Sequence, residues 1–168
     1  METAAVLAVF GMLAGCSGSD GKKAYDVPTK LCGVTVDPSL VLPFLPSGEK
    51  VRVRGADPVP SRRLCQMDID GKWALMANQE WWAKDVSIAT VVGANPQLVS
   101  AKTSTDGALV YGGNGAVERV ESCKNPSHPR WVLYTSLRVR ASSLGDAYAM
   151  KKLATAYSRA VAKTHACS

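Results

Sequence analysis

Four widely spaced cysteines constrain this chain more than any other feature: Cys32, Cys65, Cys123 and Cys167. In an exported protein, an even number of such cysteines indicates two disulfides, with three possible pairings. We favour Cys32 with Cys65 and Cys123 with Cys167, because each pair then closes a loop in a different half of the chain. Metal binding is the alternative, but there is no Cys-x-x-Cys motif and the only histidines are His128 and His165, so we predict no zinc site.

An apolar leader precedes these cysteines. Residues Ala4–Ala14 form an uncharged run of eleven, which is too short for a membrane-spanning helix and is typical of the hydrophobic region of a signal peptide. Leu13-Ala14-Gly15-Cys16 ends this run and resembles the lipobox of bacterial lipoproteins. The resemblance implies cleavage before Cys16 and transfer of a diacylglyceryl group to its thiol. The alternatives are a secretory signal with a chance cysteine and a short buried helix.

The composition divides the chain into three segments. We assign residues 1–15 to a lipoprotein signal peptide, 16–30 to the lipidated cysteine and a flexible tether, and 31–168 to one disulfide-stapled α+β domain. Residues 17–30 are rich in Ser, Gly and charge, as in a flexible linker. The chain has 168 residues, 46% of them hydrophobic, which suffices for one core but not for a second full domain. No Lys or Arg precedes the apolar run, a departure that leaves open an upstream start or inefficient export.

Alternation of apolar and polar residues predicts an antiparallel sheet. Asp70-Gly71 supplies the two positive φ angles of a tight hairpin turn, and residues 112–115 carry a second hairpin signal. Residues 85–92 fit either a strand or a short helix, and the polar segment 93–107 is expected to be a loop. The predicted strands cover residues 51–54, 64–69, 72–78, 108–111, 116–123 and 131–140.

Two helices complete the predicted fold. Asp37-Pro38 is typical of an N-cap followed by the first residue of a short helix. Ser143 and Asp146 have the spacing of a capping box before a longer C-terminal helix. Its apolar stripe recurs every three or four positions, at Ala147, Met150, Leu153, Ala154, Tyr157 and Val161. We predict an α+β fold: an antiparallel sheet of about five or six strands, with a short N-terminal helix and a long C-terminal helix packed on one face.

Three segments resemble a family of uncharacterised actinobacterial secreted lipoproteins. They are CGVTVDPSLVLPFLPSG from Cys32, CQMDIDGKWALMANQEWW from Cys65, and DAYAMKKLATAYSRAVAKTHAC ending at Cys167. The resemblance covers most of residues 31–167 and implies a single domain, anchored by lipid to the extracytoplasmic side of the cell membrane, with four cysteines at similar positions. It implies no activity.

The sequence lacks the motifs of the common enzyme classes. It contains no G-x-S-x-G elbow, no Walker A loop and no H-E-x-x-H zinc motif, and we predict no catalytic residue, cofactor or metal site. The alternative is an envelope hydrolase that uses a carboxylate pair for acid and base catalysis. Asp68 and Asp70 are the nearest pair, followed by Glu80 and Asp85. Alternation along the strand predicts that Asp68 and Asp70 both face solvent.

Tryptophan and arginine side chains are the candidate ligand-binding groups. Trp81 and Trp82 are adjacent, so a strand would point them to opposite faces, one buried and the other either exposed or covered by a loop. Indole rings stack on sugars and keep one N–H donor. Arg138 and Arg140 share a strand face, and they would join a cationic stripe if their strand lay beside the strands that carry the other paired arginines, Arg52, Arg54, Arg62 and Arg63.

The charge balance favours anionic partners, since the formal net charge is +6. We therefore predict a non-catalytic binding or accessory module of the cell envelope, held on the membrane by its lipid. Its expected partner is an anionic wall polymer or another envelope protein. Because we expect the protein to be exported, nucleic acid is not an expected partner.

Overall fold

A computed structural model describes residues 22–95, 98, 101–126 and 129–167, so Cys16 and His128 lie outside the described residues. The main sheet contains β3 (Val51–Val59), β4 (Arg62–Ile69), β5 (Lys72–Ala83), β6 (Lys102–Thr103), β7 (Leu109–Tyr111), β8 (Gly115–Arg119) and β9 (Trp131–Val139). Its strands are antiparallel and follow the order β3-β4-β5-β9-β8-β7-β6. A separate small sheet pairs β1 (Lys30–Leu31) with β2 (Val34–Thr35).

The main sheet is antiparallel, as predicted, but it has seven strands instead of five or six. The additional strand is β6, which lies within the polar segment 93–107 that the sequence assigns to a loop. Its two residues, Lys102 and Thr103, pair with Tyr111 and Val110 of β7. A strand of two residues contains no alternation that sequence analysis can detect, and the same limit concealed β1 and β2.

The turn at Asp70-Gly71 joins β4 to β5, as predicted. Its φ angles are 49° at Asp70 and 77° at Gly71, the left-handed region that a two-residue hairpin turn requires. The Asp70 carboxylate also accepts a hydrogen bond from the backbone N–H of Lys50 at 2.8 Å. The turn is therefore tied to the start of β3, and β5 continues beyond the predicted strand to include Trp81 and Trp82.

Three helices flank the sheets: α1 (Pro38–Val41), α2 (Ile88–Gly93) and α3 (Ala147–Val161). α1 begins after the predicted N-cap Asp37 and continues into a 3-10 turn, Leu42–Phe44. α2 shows that the ambiguous segment 85–92 is partly helical. The sequence predicts that Ser143 begins the capping box of α3, but Asp146 is the N-cap and accepts from the N–H of Ala149 at 2.8 Å. Ser142–Leu144 forms a separate 3-10 turn before it.

Each face of the main sheet has its own apolar cluster. α3 packs on one face, here called the α3 face, and its predicted stripe is buried there except for the partly exposed Ala147. On the opposite face, here called the α2 face, Val91 of α2 packs with Val117 and Tyr134. The α+β class and the position of the long helix on one face are thus confirmed.

A small polar cluster lies on the α3 face. The hydroxyl oxygens of Thr135 and Ser158 are 2.6 Å apart, and Glu118 pairs with Thr135 across β8 and β9. Burial raises the pKa of the Glu118 carboxyl above its ordinary value. Its Oε2 atom is buried and has no hydrogen-bond partner among the described residues. The ionised form of Glu118 is therefore disfavoured in the folded protein.

Both favoured disulfides are present. Cys32–Cys65 links the turn between β1 and β2 to β4, and Cys123–Cys167 links the segment after β8 to a C-terminal 3-10 turn, His165–Cys167. The predicted pairing is confirmed.

The N-terminal segment contacts the domain earlier than the sequence predicts. We assigned residues 16–30 to a tether, yet the backbone N–H of Ala24 donates to the carbonyl of Gly48 at 2.8 Å. Tyr25 and Val27 pack against the core under α3. These two side chains supply apolar surface that is easily overlooked in a segment rich in Ser, Gly and charge. The described part of the tether, from Lys22 onward, therefore lies against the domain.

Candidate functional site

A cavity of about 510 Å³ opens at the end of the main sheet where the β3–β4 hairpin meets the C-terminal turn. The alternation of β5 places Gln79 and Trp81 on the α3 face, where they contribute to this cavity. The backbone N–H of Trp81 donates to the carbonyl of Ser61 in the hairpin turn at 2.8 Å. We call this cavity the Trp81 pocket. Its lining residues are Asp57, Pro58, Val59, Pro60, Arg62, Arg63, Gln79, Trp81, Asn125, His165 and Ala166.

Two arginines bring positive charge to the Trp81 pocket. Arg63 forms an ion pair with Asp57, with 3.1 Å between Nε and Oδ1, and Arg62 forms one with Glu80, with 3.3 Å between Nη2 and Oε2. The arginine side chains in these pairs are about half exposed. Exposed ion pairs contribute only about 0–1 kcal/mol. A ligand anion can therefore replace Asp57 at Arg63 at little cost.

Neutral polar groups lie beneath the Trp81 pocket. The buried Gln79 donates from Nε2 to the hydroxyl of Tyr157 at 3.4 Å, and that hydroxyl donates to the carbonyl of Ala77 at 3.4 Å. Burial raises the pKa of Tyr157 to about 12, so the phenol remains neutral at physiological pH. This fixes the orientation of the Gln79 amide at the base of the pocket.

The C-terminal turn forms the remaining wall of the Trp81 pocket. Cys167 is held by its disulfide to Cys123, and Asn125 donates from Nδ2 to the carbonyl of Ala166 at 2.9 Å. Sequence analysis missed this wall, together with Gln79 and Tyr157. The sequence contained part of this information. Asn125 and His165 each lie two residues from a cysteine of the predicted Cys123–Cys167 disulfide, which would bring them close together.

The second predicted tryptophan contributes to a different region. Trp82 packs in the apolar cluster of the α2 face, whereas Trp81 packs against the cluster of the α3 face. The predicted orientation to opposite faces agrees with this arrangement, but the expected contrast in exposure is wrong, since both are half-buried. The Trp82 Nε1 atom is buried and has no hydrogen-bond partner among the described residues.

The predicted arginines also separate. Arg138 lies on the α2 face and lines a cavity of about 280 Å³, here called the Arg138 cavity. Arg140 lies beyond the end of β9 in another cavity, of about 470 Å³, together with Asp70 and Lys72. The predicted cationic stripe does not form, because β4 and β5 separate β9 from β3. Within this arrangement Arg54 is paired with Asp68, with 2.9 Å between Nε and Oδ2.

The candidate catalytic carboxylates do not form a pair in a cleft. The prediction that Asp68 faces solvent is wrong, since it is 6% exposed. It binds Arg54 and accepts from the side chain of Gln66, because the α2 face carries polar side chains that cover this part of the sheet. Asp70 binds backbone N–H groups instead. Glu80 lines the Arg138 cavity, whereas Asp85 lies in the exposed turn after β5.

Each of four cavities has a single acidic residue in its lining: the Trp81 pocket, the Arg138 cavity, the cavity beside Arg140 and a fourth beside Trp131. Within the described ranges, no group of three or more His, Cys, Asp or Glu side chains is arranged to hold a metal ion. No helix in the described part of the chain has the length and apolar character needed to cross a bilayer.

Comparisons with models of known protein families, with curated proteins and with solved structures find no match to this chain.

Proposed function

We propose that this chain is a membrane-anchored extracytoplasmic lipoprotein whose domain is a non-catalytic binding module of the cell envelope. The apolar leader and the lipobox-like motif ending at Cys16 support the anchor. The two disulfides are compatible with an oxidising compartment outside the cytoplasm. The resemblance to actinobacterial secreted lipoproteins supports the same location outside the cytoplasm.

The proposed ligand is inferred from the residues that line the Trp81 pocket. An indole ring favours stacking on a sugar, and the guanidinium group of Arg63 favours an acidic substituent. The neutral amide of Gln79 offers a hydrogen bond at the base of the pocket. This combination suits one glycosyl unit of an anionic wall polymer, with the sugar on Trp81 and its acidic group at Arg63.

A hydrolase that uses two carboxylates has less support. Such an enzyme needs two acidic groups facing one substrate site, whereas the Trp81 pocket contains only Asp57, and that carboxylate is paired with Arg63. Asp68 and Asp70, the pair suggested by the sequence, both hold the fold together. We therefore do not advance the hydrolase.

Binding is tested with the full chain and a glucose-substituted poly(glycerol phosphate) wall polymer, compared with a neutral glucan. Trp81→Ala should weaken polymer binding by about tenfold or more. Trp131→Ala is the matched control, since Trp131 is 41% exposed and lines a different cavity, and it should leave affinity within about twofold. The neutral glucan should bind more weakly because it offers nothing to Arg63. Equal affinity of Trp81→Ala and the unmodified protein would refute this site.

The anchor is tested separately by intact mass. The membrane fraction should contain a chain that begins at Cys16, carries a diacylglyceryl group and has two disulfides. Cys16→Ala should abolish the lipid modification. Acylation of that variant to the same extent, or an uncleaved chain in the soluble fraction, would contradict the lipoprotein assignment without affecting the polymer test.

A further inference from the structure

The Arg138 cavity lies on the α2 face, and register explains how its lining assembles. Gln66 of β4, Met76 of β5 and Arg138 of β9 stand in one row across three neighbouring strands. Asn78 and Ser136 occupy the next row, and Asn95, after the end of α2, closes one side. Polar side chains thus converge on a small recess whose floor is rigid sheet.

Arg138 differs from Arg54 and Arg62, which lie on the same face. Arg54 is neutralised by Asp68 at 2.9 Å and Arg62 by Glu80 at 3.3 Å. Arg138 forms no ion pair in the described part of the chain, and its buried Nε atom has no hydrogen-bond partner there. Leaving a buried charged donor unsatisfied is costly. The uncompensated positive charge favours an anion in this cavity.

Three amide side chains provide the complementary polar groups. Asn78 donates from Nδ2 to Ser136 Oγ at 3.4 Å, and Asn95 donates from Nδ2 to the carbonyl of Val91 at 2.9 Å. Gln66 donates from Nε2 to Asp68. No hydrogen bond reaches the side-chain carbonyl oxygens of these three amides in the described part of the chain, so the oxygens can act as acceptors for a ligand. Acceptors of this kind select hydroxyl groups.

We propose that the Arg138 cavity binds a small carboxylate that carries hydroxyl groups, such as a sugar acid. The planar guanidinium of Arg138 binds a carboxylate through two parallel hydrogen bonds, and the amide oxygens accept from the hydroxyls. The volume of about 280 Å³ suits one small molecule. With Arg62 neutralising Glu80, the cavity carries one net positive charge, which matches one carboxylate.

This site is separate from the Trp81 pocket. The two cavities lie on opposite faces of the sheet, and among the described residues Arg62 alone lines both. The inference therefore goes beyond the proposed polymer binding and does not depend on it.

The test titrates the full chain with D-glucuronate and with D-glucose. The two sugars differ only at C6, where glucuronate has a carboxylate and glucose has a hydroxymethyl group. Calorimetry gives the affinity, and the Nε–H resonance of Arg138 reports contact directly. Glucuronate should bind about tenfold or more tightly than glucose, and Arg138→Gln should weaken glucuronate binding by about the same factor. Arg138→Lys, which retains the charge but loses the planar fork, should give an intermediate affinity.

Two controls separate this site from general charge effects and from the Trp81 pocket. Arg52→Gln removes an exposed arginine from the same sheet face, and Trp81→Ala alters the other pocket; both should leave glucuronate affinity within about twofold. Circular dichroism checks that Arg138→Gln remains folded. If this variant unfolds, the change in the Nε–H chemical shift of Arg138 on adding glucuronate to the unmodified protein still tests the contact. Absence of glucuronate binding, equal binding of glucose, or loss of binding in Trp81→Ala would overturn the proposal.

Discussion

Removal of the Cys123–Cys167 disulfide should destabilise the domain severely. The bond spans a sequence separation of 44 residues, so it closes β9 and α3 into one loop. The double substitution Cys123→Ala with Cys167→Ala removes this cross-link while placing a small apolar side chain at the buried position 123. Its main effect falls on the unfolded chain, which gains conformational freedom.

The magnitude follows from the loop length. The chain-entropy relation for a loop of this size gives about 4 kcal/mol at 25 °C. Domains of ordinary stability have a free energy of unfolding of about 5–15 kcal/mol, so the loss is a large fraction of the total. The shorter loop of Cys32–Cys65, with a separation of 33 residues, gives nearly the same value of about 3.7 kcal/mol.

Urea unfolding, followed by the fluorescence of the four tryptophans, measures this change. With a slope near 2 kcal/mol per M, the midpoint should fall by about 2 M. The slope itself should rise, because the uncross-linked unfolded chain exposes more surface. The double substitution Cys32→Ala with Cys65→Ala is the matched control, and its urea midpoint should fall by a similar amount.

The two double variants should differ in polymer binding. Asn125 and Ala166 line the Trp81 pocket and depend on the Cys123–Cys167 bond for their position, so this variant should bind polymer more weakly under conditions where it is folded. The Cys32 and Cys65 variant should retain binding. A stability loss below about 1 kcal/mol for the first variant would refute the loop-entropy argument, since it would show that the unfolded chain was already compact without the bond.

Two further predictions concern stability. The raised pKa of Glu118 means that its contribution to stability is fully present below the unfolded pKa of about 4.3 and is lost as pH rises through the higher folded pKa. Glu118→Gln should therefore raise the thermal midpoint at neutral pH and flatten its decline as pH rises from the unfolded pKa through the folded pKa, in scanning calorimetry. An unchanged pH profile would contradict the burial of this carboxyl. Asp146→Ala removes the N-cap acceptor for the N–H of Ala149 and should lower the free energy of unfolding in urea by about 1 kcal/mol. Ser143→Ala should lower it by less than half of that. A larger loss for Ser143→Ala would instead support Ser143 as the N-cap, as predicted from the sequence.

Local structure was accessible from the sequence wherever the signal is carried by neighbouring residues. Asp70-Gly71 predicts its hairpin because only certain residues tolerate two positive φ angles in succession. The stripe from Met150 to Val161 predicts α3 because helical spacing places those side chains on one side. The two-residue strand β6 was missed because it is defined by its pairing with β7. The cap at Asp146 was missed because Ser143 and Asp146 both carry a side-chain oxygen suited to an N-cap.

The candidate site was accessible only in part. The sequence identifies Trp81 and Arg138 as residue types that bind ligands, but it does not show that they lie on opposite faces of one sheet in different cavities. It also places Asp68 in solvent, because strand alternation does not reveal that both sheet faces are covered. Gln79 and Tyr157 escaped notice because their importance comes from a hydrogen bond between β5 and α3.

Periodicity and turn chemistry are properties of short segments, and they determined the α+β class and the long terminal helix. The leader, residues 1–15, stays a prediction. The favoured cysteine pairing followed from loop placement along the chain, and the tertiary structure confirmed it. The strand order was decided by the tertiary structure alone, because the pairing of β5 with β9 joins residues that are far apart in sequence. That order separates β9 from β3 and breaks up the expected arginine stripe. Arg138 then has no counterion among the described residues, whereas Arg54 and Arg62 each have one.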